Sequence, residues 1–191
     1  LSFRKRTQKG FTLVELLIVV IILAILAAIV VPQFASTTDD AKVSSLDSTL
    51  SNMRSAIALY RQQHSAYPGR LVSSGGPAAC TTAGGALGTG AVNTEAAFLD
   101  QLAYYSNAAG QTCTARGAGN EFPYGPYIQK REIPVNAVTT SKVLAAISTA
   151  GLLGLSSTAN PGAGWKYDDV SGQFIADDAT NDPSGLAYYK H

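Results

Sequence analysis

Charged residues are scarce in this sequence, and no cluster of basic residues follows the first ten positions. Lys, Arg, Asp and Glu together make up 14% of the 191 residues. Residues 36–191 carry 10 basic and 12 acidic groups, because four of the 14 basic residues precede position 10: Arg4, Lys5, Arg6 and Lys9. A surface that binds a phosphate backbone needs clustered Lys and Arg. We therefore predict no nucleic-acid partner for this chain.

Histidine is rare as well, and the sequence has no motif of a familiar catalytic site. The two histidines, His64 and His191, lie far apart along the chain. No His-Glu-x-x-His or Gly-x-Ser-x-Gly pattern occurs, and no cysteine has a plausible catalytic histidine nearby. These absences predict a protein that is not an enzyme.

Cysteine is limited to Cys80 and Cys113. No Cys-x-x-Cys pattern and no third or fourth thiolate is present, so a thiolate metal site is excluded. The two residues allow one disulfide, which persists only in an oxidising compartment. We predict a Cys80–Cys113 bridge that closes a loop of about 33 residues.

One long hydrophobic run contrasts with these scarcities. Residues 16–31 are 16 uninterrupted apolar residues, and residues 11–15 extend the segment to about the length that spans a hydrocarbon core of roughly 30 Å. The basic cluster precedes this run, and the first charges beyond it are Asp39 and Asp40. By the positive-inside rule, the N-terminus stays in the cytoplasm and the chain beyond about residue 35 faces outward. Both cysteines are then in a space that permits disulfides.

Glu15 is an acidic residue inside the apolar segment. An ionised side chain at the centre of a membrane costs about 2.5–3.5 kcal/mol on insertion scales. In one interpretation, Glu15 lies near the cytoplasmic interface and its carboxylate reaches water. In the other, it pairs with a cation. Cleavage after Gly10 would create such a cation at the amino terminus of Phe11, in the same chain or in a neighbouring one.

The residues around Glu15 also carry a resemblance to a known family. Residues 9–17 (Lys-Gly-Phe-Thr-Leu-Val-Glu-Leu-Leu), with a basic leader before them and an apolar run after them, resemble the class III signal of type IV pilins and pseudopilins. This resemblance implies cleavage between Gly10 and Phe11 by a prepilin peptidase, N-methylation of Phe11, and a role for Glu15 in assembly. The strict motif is confined to the N-terminal end of the chain, and a weaker likeness continues to about Pro68.

A single long helix is predicted after the cleavage position. Between Phe11 and Pro68 there is no glycine and one interior proline, which permits a helix of nearly 57 residues and on the order of 85 Å. In its second half, apolar residues recur at spacings of three and four, as expected for an amphipathic helix packed on a globular domain. These residues are Val43, Leu46, Leu50, Met53, Ile57 and Tyr60. Pro68 and Gly69 are predicted to end the helix.

Pro32 interrupts the hydrogen-bond ladder of this predicted helix. Its missing N–H and its ring clash predict a bend or an opened turn. In filaments of the family that the motif resembles, a proline at the corresponding position accompanies a kinked or partly melted segment. The glycine that often stands eight residues earlier in that family is Ala24 here. We therefore predict a kink at Pro32 rather than an extended melted stretch, and we assign Pro32 to the assembly residues.

The remaining residues predict a small domain of mixed structure. Residues 71–92 form a Gly-, Ala-, Ser- and Thr-rich loop, and Thr94 to Ser106 predicts a short capped helix. Thr140 to Ala150 is a weaker helix candidate, whereas Trp165 to Ala176 predicts a β-hairpin. The predicted fold is α+β and type IV pilin-like. Its long N-terminal helix has a protruding hydrophobic half and an amphipathic half packed on a small antiparallel sheet.

Three acidic residues near the C-terminus raise the question of a metal. Asp177, Asp178 and Asp182 are candidate Ca²⁺ ligands, since flexible acidic loops suit this ion and major pseudopilins bind calcium in a C-terminal loop. No Asp-x-Asp-x-Asp-Gly pattern is present, so a solvated acidic turn is the preferred interpretation. We predict no other metal and no cofactor.

Taken with the resemblance, the segments predict a prepilin. Residues 1–10 are a cleaved leader, residues 11–35 a transmembrane and filament-core helix, and residues 36–191 an amphipathic helix with a globular domain. After cleavage between Gly10 and Phe11, the subunit polymerises with copies of itself into an extracellular filament. The predicted partners are a prepilin peptidase, the inner membrane and its assembly machinery. The alternatives are a major pseudopilin of a type II secretion system, which acts in the periplasm, and an anchored adhesive or binding subunit that does not polymerise.

Overall fold

The computed structural model describes residues 10–117, 119–151, 153–159 and 163–191. Two compact units divide the chain, one ending at Asp40 and the other running from Ala41 to His191. One long helix, α1, contributes residues to both units, and each unit is described by itself below. The elements in chain order are α1 (Leu13–His64), α2 (Ala79–Thr82), α3 (Glu95–Ala103), β1 (Tyr105–Ser106), β2 (Thr112–Cys113), β3 (Val143–Ser148), β4 (Gly164–Asp168), β5 (Phe174–Ala176) and a 3₁₀ turn (Tyr188–Lys190).

The described part of the first unit consists of α1 as far as Asp40 and the short segment 10–12 that precedes the helix. Among the described residues, the stretch Leu13–Val31 is the one segment long and apolar enough to cross a membrane, and none of it is buried within the chain. The helix continues without a break across Pro32. An unbroken helix across this position counts against a local opening of the turn before Pro32 in this state of the subunit. The kink itself stays a prediction.

The second unit is organised around the amphipathic part of α1. Leu46, Leu50, Met53, Ile57 and Tyr60 are buried in its hydrophobic core, and Val43 packs against this core while remaining half-exposed, so the predicted stripe is confirmed. The helix ends at His64, whereas the sequence predicted that it would continue up to Pro68. Ser65 adopts φ of 57° and donates its N–H to the carbonyl of Arg61 at 2.9 Å. A left-handed residue with this bond terminates a helix before the proline is reached.

A three-stranded sheet packs against this helix. Strand β4 pairs antiparallel with β5, which confirms the predicted hairpin. Strand β3 lies on the other side of β4 and is parallel to it, so the sheet is mixed rather than purely antiparallel. The predicted helix at Thr140–Ala150 is wrong, because residues Val143–Ser148 form β3. Hydrogen bonds to β4 decide the conformation of this short apolar run, which has no periodicity long enough to favour a helix.

The core between helix and sheet is rich in aromatic side chains. Trp165, Tyr167 and Phe174 of the hairpin are fully buried and meet Phe98 of α3. The ring centroids of Phe98 and Tyr167 are 4.5 Å apart, and those of Trp165 and Phe174 are 5.0 Å apart. The indole of Trp165 is also satisfied, since its Nε1 donates to the carbonyl of Pro134 at 2.8 Å. This core confirms the α+β class.

The short helix α3 holds the glycine-rich loop in place. The loop itself contains the four-residue helix α2. Thr94 caps α3 by accepting a hydrogen bond from the N–H of Ala97, as the sequence predicted. Further along α3, the buried carboxylate of Asp100 accepts bonds from the hydroxyl of Ser73 at 2.8 Å and from the N–H of Thr89 at 2.9 Å. Asp100 also pairs with Arg131.

Glycine is required where this loop passes close to the rest of the domain. A Cβ added at Gly88 would lie 2.7 Å from the carbonyl oxygen of Ser73, closer than real Cβ contacts come. Close backbone packing thus explains the glycine at position 88.

Candidate functional site

The start of α1 is a capping box formed by Thr12 and Glu15. The N–H of Thr12 donates to Oε2 of Glu15 at 2.9 Å, and the Thr12 hydroxyl donates to the same oxygen at 2.7 Å. In return, the N–H of Glu15 donates to Oγ1 of Thr12 at 3.3 Å. Leu16 closes the first turn with a bond to the carbonyl of Thr12 at 3.2 Å. The Thr-x-x-Glu spacing of a capping box was visible in the sequence, but our sequence prediction assigned no role to Thr12.

This geometry leaves part of the Glu15 carboxylate available. Oε2 accepts both bonds from Thr12, and no hydrogen bond to Oε1 occurs among the residues that the structure describes. Glu15 is also exposed. The carboxylate can therefore hold the first turn of α1 with one oxygen and accept a bond from a cation with the other.

The predicted cleavage position lies immediately before this cap. Gly10 is exposed, and Phe11 is 80% exposed. Apart from Gly10 itself and its chain neighbours, no described residue has an atom within 4 Å of the place where a Cβ of residue 10 would stand. Neither residue belongs to the helix, which begins at Leu13. The peptide bond between Gly10 and Phe11 is accordingly in an open, non-helical segment that an enzyme can reach. The basic residues Arg4, Lys5, Arg6 and Lys9 lie outside the described residues.

Beyond the cap, α1 presents a large apolar surface that the described part of the chain does not cover. Every residue from Leu13 to Val31 is exposed. A monomeric soluble protein rarely exposes an apolar patch of more than a few hundred Å². An apolar surface of this kind fits contact with a membrane or with other protein chains. Pro32, the remaining predicted assembly residue, follows directly in the same helix.

The two cysteines form the predicted disulfide. The Cys80 and Cys113 Sγ atoms are 2.02 Å apart, the Cα atoms are 5.8 Å apart, and both residues are fully buried. With Phe122 they make a second small hydrophobic cluster, against which Leu87 and Tyr105 pack. The bridge connects α2 with β2 and so ties the glycine-rich loop to the domain.

The three acidic residues considered for calcium have separate partners. Asp177 accepts a bond from the hydroxyl of Ser157 at 2.6 Å, and its Oδ1 lies 3.4 Å from the ammonium of Lys166. Asp178 accepts bonds from the N–H and the hydroxyl of Thr180, both at 2.7 Å.

Asp182 is also engaged locally, since it accepts bonds from Ser184 and from the N–H of Leu186. In the part of the chain that the structure describes, no group of three metal-ligating side chains occurs. The carboxylates at 177, 178 and 182 therefore do not fit a common Ca²⁺ site in this conformation.

The two histidines make structural contacts. His64 is buried, stacks on Tyr60 with ring centroids 4.0 Å apart, and lies 3.0 Å from the hydroxyl of Ser106 through Nε2. Burial lowers the pKa of His64, and its hydrogen bond to the carbonyl of Tyr60 opposes the shift. His191 contacts Asp47 through Nδ1 at 2.8 Å.

Comparison with known proteins gives a matching family model and several similar proteins. The family model described as a prokaryotic N-terminal methylation motif matches residues 5–31. The type II secretion system core protein G of Pseudomonas aeruginosa is 45% identical over 65 residues, which are 34% of this chain and 46% of that protein. The type IV narrow pilus major component PilA5 of Thermus thermophilus is 47% identical over 60 residues, 31% of this chain and 52% of that protein.

A type IV major fimbrial protein, FimA of Dichelobacter nodosus, is 51% identical over 53 residues, which are 28% of this chain and 34% of that protein. The chain thus spans about half the length of the first two relatives, and about a third of FimA. No solved structure matches the chain. These matches and the motif support the type IV pilin and pseudopilin family that the sequence resembles.

Proposed function

We propose that this chain, which carries the N-terminal segment of the type IV pilin and pseudopilin family, is the precursor of a structural subunit that polymerises into a type IV pilus-like filament. The observation that carries the proposal is the arrangement at the start of α1. An open Gly10–Phe11 bond, a partly available Glu15 carboxylate and a wholly exposed apolar helix follow one another there.

Processing would begin at the open bond. A prepilin peptidase on the cytoplasmic side of the inner membrane cleaves between Gly10 and Phe11 and methylates the new amine of Phe11. The mature chain then begins with a cation just before the helix, since α1 starts at Leu13. Until assembly, the stretch Leu13–Val31 anchors the subunit in the membrane with the second unit outside.

Assembly would replace lipid by protein around the apolar helix. Helices that leave the membrane for a bundle of like helices keep their apolar surface away from water, so extraction loses little hydrophobic stabilisation. In that bundle, Oε1 of Glu15 accepts a bond from the Phe11 amine of a neighbouring copy, while Oε2 retains the cap. A head-to-tail contact that does not close into a ring produces an open helical polymer. The machinery that extracts the subunit is the second predicted partner.

The variants Glu15→Gln and Thr12→Ala separate the two uses of this site. Glutamine at the third helical position still completes a capping box but carries no charge. Alanine at position 12 removes the cap but leaves the Glu15 charge. In cells that contain a prepilin peptidase and an assembly machinery, we expect electron microscopy to show filaments for wild type and Thr12→Ala, and few or none for Glu15→Gln.

A third variant, Gly10→Val, tests processing. We expect mass spectrometry of the wild-type product to show a chain that begins at Phe11 with one added methyl group, and Gly10→Val to retain its leader and remain in the membrane. Abundant filaments from Glu15→Gln and Gly10→Val would contradict the assembly mechanism. Absence of filaments from wild type would contradict polymerisation and favour an anchored, non-polymerising subunit.

A second candidate function is that of a major pseudopilin. The similarity to a core protein of type II secretion and the Trp165–Ala176 hairpin favour it. Pseudopilins share the assembly chemistry, but their filaments are short and periplasmic. Imaging of intact cells separates the two, since a pilus subunit is expected in long surface filaments and a pseudopilin inside the periplasm.

A further inference from the structure

Two neighbouring depressions on the second unit form one open groove beside α1. The first has a volume of about 350 Å³, and residues of α1 line it together with Tyr67 and Gly172. The second has a volume of about 360 Å³, and its lining includes residues of the hairpin and of the 3₁₀ turn. Arg54 and Gly172 line both depressions, so the two adjoin each other. We call them together the arginine groove, which lies wholly within Ala41–His191.

Positive charge dominates the lining of the arginine groove. The lining includes Arg54, Arg61 and Lys190, and none of its described residues is acidic. Arg54 and Arg61 are seven residues apart on α1, which is nearly two turns, so they lie on one side of the helix and about 10 Å apart along its axis. Asp47 interacts electrostatically with Arg54, but it is engaged by Nδ1 of His191 at 2.8 Å. The groove therefore presents three cations to a ligand.

These cations keep N–H donors that no described residue uses. Nε and Nη1 of Arg54 donate to the carbonyls of Phe174 and His191 at 3.1 and 2.7 Å, but Nη2 makes no hydrogen bond to a described residue. Arg61 and Lys190 are exposed, and their side chains form no hydrogen bond or ion pair within the described part of the chain. A guanidinium group is a planar fork of donors that matches a carboxylate. The groove can thus bind anionic groups without breaking contacts of the fold.

Aromatic rings hold two of the three cations in place. The guanidinium carbon of Arg61 lies 4.7 Å from the centroid of the Tyr67 ring. In the same way, Nζ of Lys190 lies 5.8 Å from the centroid of the Tyr189 ring. The turn of the hairpin packs against Tyr67 so closely that a Cβ added at Gly172 would lie 2.1 Å from Cε1 of the ring. The position of Tyr67, and with it that of Arg61, is consequently determined by the fold before any ligand binds.

The shape of the arginine groove suits an extended ligand. Both depressions are open to the surface, whereas pockets for small molecules enclose most of the ligand. Arg61 lines one depression and Lys190 lines the other. A ligand that reaches both cations must cross the shared part of the groove at Gly172, and it must carry negative charges at more than one place. These requirements indicate a polymer with repeated anionic groups.

The aromatic residues of the groove favour a polysaccharide over a nucleic-acid strand. Proteins bind single-stranded nucleic acid on aromatic rings that stack with successive bases. Tyr67 and Tyr189 already have the cations Arg61 and Lys190 over their rings, which takes up the faces that bases would need. An acidic sugar requires no stacking, because its carboxylate binds the cations and its hydroxyl groups bind amides such as that of the exposed Gln62.

We propose that the arginine groove binds an acidic polysaccharide whose sugars carry carboxylates. One carboxylate pairs with the guanidinium group of Arg61, and a second pairs with the ammonium group of Lys190. Nη2 of Arg54 donates to the polymer in the part that both depressions share. This binding activity goes beyond polymerisation and does not depend on it, since every residue of the groove belongs to one copy of the chain.

Isothermal titration calorimetry with the full-length chain in a polyoxyethylene detergent tests the groove. The probes are an oligogalacturonate, its methyl ester and an oligodeoxythymidylate with the same number of residues. We expect the wild type to bind the oligogalacturonate more weakly as the salt concentration rises, and to bind the uncharged ester at least tenfold more weakly. Arg61→Gln and Lys190→Gln should each weaken binding of the oligogalacturonate about tenfold.

Arg116→Gln is the matched control for these variants. The guanidinium carbon of Arg116 also lies over a tyrosine, 4.9 Å from the centroid of the Tyr105 ring, but Arg116 does not line the groove. The control therefore loses the same charge and the same kind of aromatic contact as Arg61→Gln. We expect it to bind the oligogalacturonate as tightly as the wild type.

Four results would overturn the inference. They are equal affinity for the ester, an equal loss of affinity in Arg116→Gln, tighter binding of the oligodeoxythymidylate, and absence of binding by a wild-type chain that unfolds cooperatively. The third result would assign the groove to nucleic acid. The calorimetric measurement involves no filament, so none of these results bears on the proposed polymerisation, which fails only if wild-type filaments are absent from electron micrographs.

Discussion

Two adjacent aspartates at the end of β4 are both buried, but they differ in the hydrogen bonds that their carboxylates accept. Both carboxylates of Asp168 and Asp169 are shielded from water. Neither oxygen of Asp169 has a hydrogen-bond partner among the described residues, and the nearest cation, Nη1 of Arg70, lies 3.8 Å away. Burial therefore raises the pKa of Asp169, while Arg70 partly opposes the shift. When the Asp169 carboxylate is ionised, its negative charge is buried with no hydrogen bond from the described residues and with Arg70 at 3.8 Å as its cation.

Asp168 has the partners that Asp169 lacks. Its carboxylate accepts bonds from the N–H groups of Gly151, Val170 and Ser171 at 2.7–3.1 Å. Burial acts to raise the pKa of Asp168, but the hydrogen bonds, with Ser171 the strongest contributor, outweigh it, and the pKa is lowered. The two neighbours consequently provide a matched pair for mutagenesis.

We expect Asp169→Asn to raise the unfolding midpoint at pH 7. Because the folded pKa of Asp169 is raised, its favourable contribution is fully present below the unfolded pKa of about 3.9 and is lost as the pH rises through the folded pKa. The advantage of the variant should then be largest at neutral pH and disappear near pH 4. Thermal unfolding in detergent at several pH values measures it, and a midpoint lowered at pH 7 would contradict this account.

For Asp168→Asn we expect the opposite result. The change removes a charged acceptor from several backbone N–H groups and should cost about 1–3 kcal/mol at neutral pH. The folded pKa of Asp168 is lowered, so its stabilisation is present above the unfolded pKa and is lost as the pH falls through the folded one. Thermal unfolding over the same pH series should show the deficit of this variant shrinking in acid, and a deficit that grows in acid would contradict the assignment.

At the scale of elements, the disulfide is the cross-link between the glycine-rich loop and the rest of the domain. It closes a loop with a sequence separation of 33 residues. We expect replacement of Cys80 and Cys113 by serine to lower the free energy of unfolding by about 3–4 kcal/mol, mainly through the entropy of the unfolded chain. Guanidinium unfolding of the variant and of wild type, with and without reductant, tests this value. The free energy of unfolding of the reduced wild type should approach that of the variant. Equal stability of all samples would contradict the prediction.

The contacts of Asp177, Asp178 and Asp182 allow a prediction about the effect of calcium on stability. Since each carboxylate is bonded to its own neighbours, we expect Ca²⁺ to leave the unfolding midpoint unchanged relative to Mg²⁺ and to a chelator. A rise specific to Ca²⁺, abolished by Asp178→Asn, would show that the loop rearranges around the ion.

Strand β3 shows why an element can escape prediction from the sequence. Its six residues, Val143–Ser148, are flanked by no strong turn or cap signal, and a short apolar run is compatible with either helix or strand. Pairing with Gly164–Asp168 supplies its hydrogen bonds. This partner strand follows only after a long connection, so the residues around β3 carry no local pattern that indicates the pairing. By contrast, α3 and the hairpin carry local signals in a threonine cap and a glycine turn, and both were predicted correctly.

For the molecule as a whole, the division into two units predicts independent folding of the second. The unit Ala41–His191 contains the buried stripe of α1, the sheet and the disulfide. The exposed apolar stretch Leu13–Val31 lies outside it. We expect a fragment of residues 41–191 to dissolve without detergent and to unfold cooperatively. Aggregation of this fragment, or an unfolding curve without a cooperative transition, would show that the apolar helix is needed for the fold.

The function proposed for the N-terminal segment could be inferred from the sequence because its chemistry is local. The proposed cleavage, methylation and membrane insertion and the charge of Glu15 all depend on residues that are contiguous or a few positions apart. The sequence therefore determined the apolar helix and the family resemblance that the comparisons support. It also indicated the buried face of α1, since helical spacing places these residues on one side.

Only the tertiary structure decided which distant groups meet. It brought Asp100 to the glycine-rich loop, placed β3 beside β4 and gave Asp177, Asp178 and Asp182 separate partners. Among the described residues, it also left the carboxylate of Asp169 without a hydrogen-bond partner. It also bonded Arg54 of α1 to the carbonyl of His191. Each of these results depends on contacts between segments far apart in the chain. Residue type and spacing express local geometry, whereas such contacts arise only when the whole core packs.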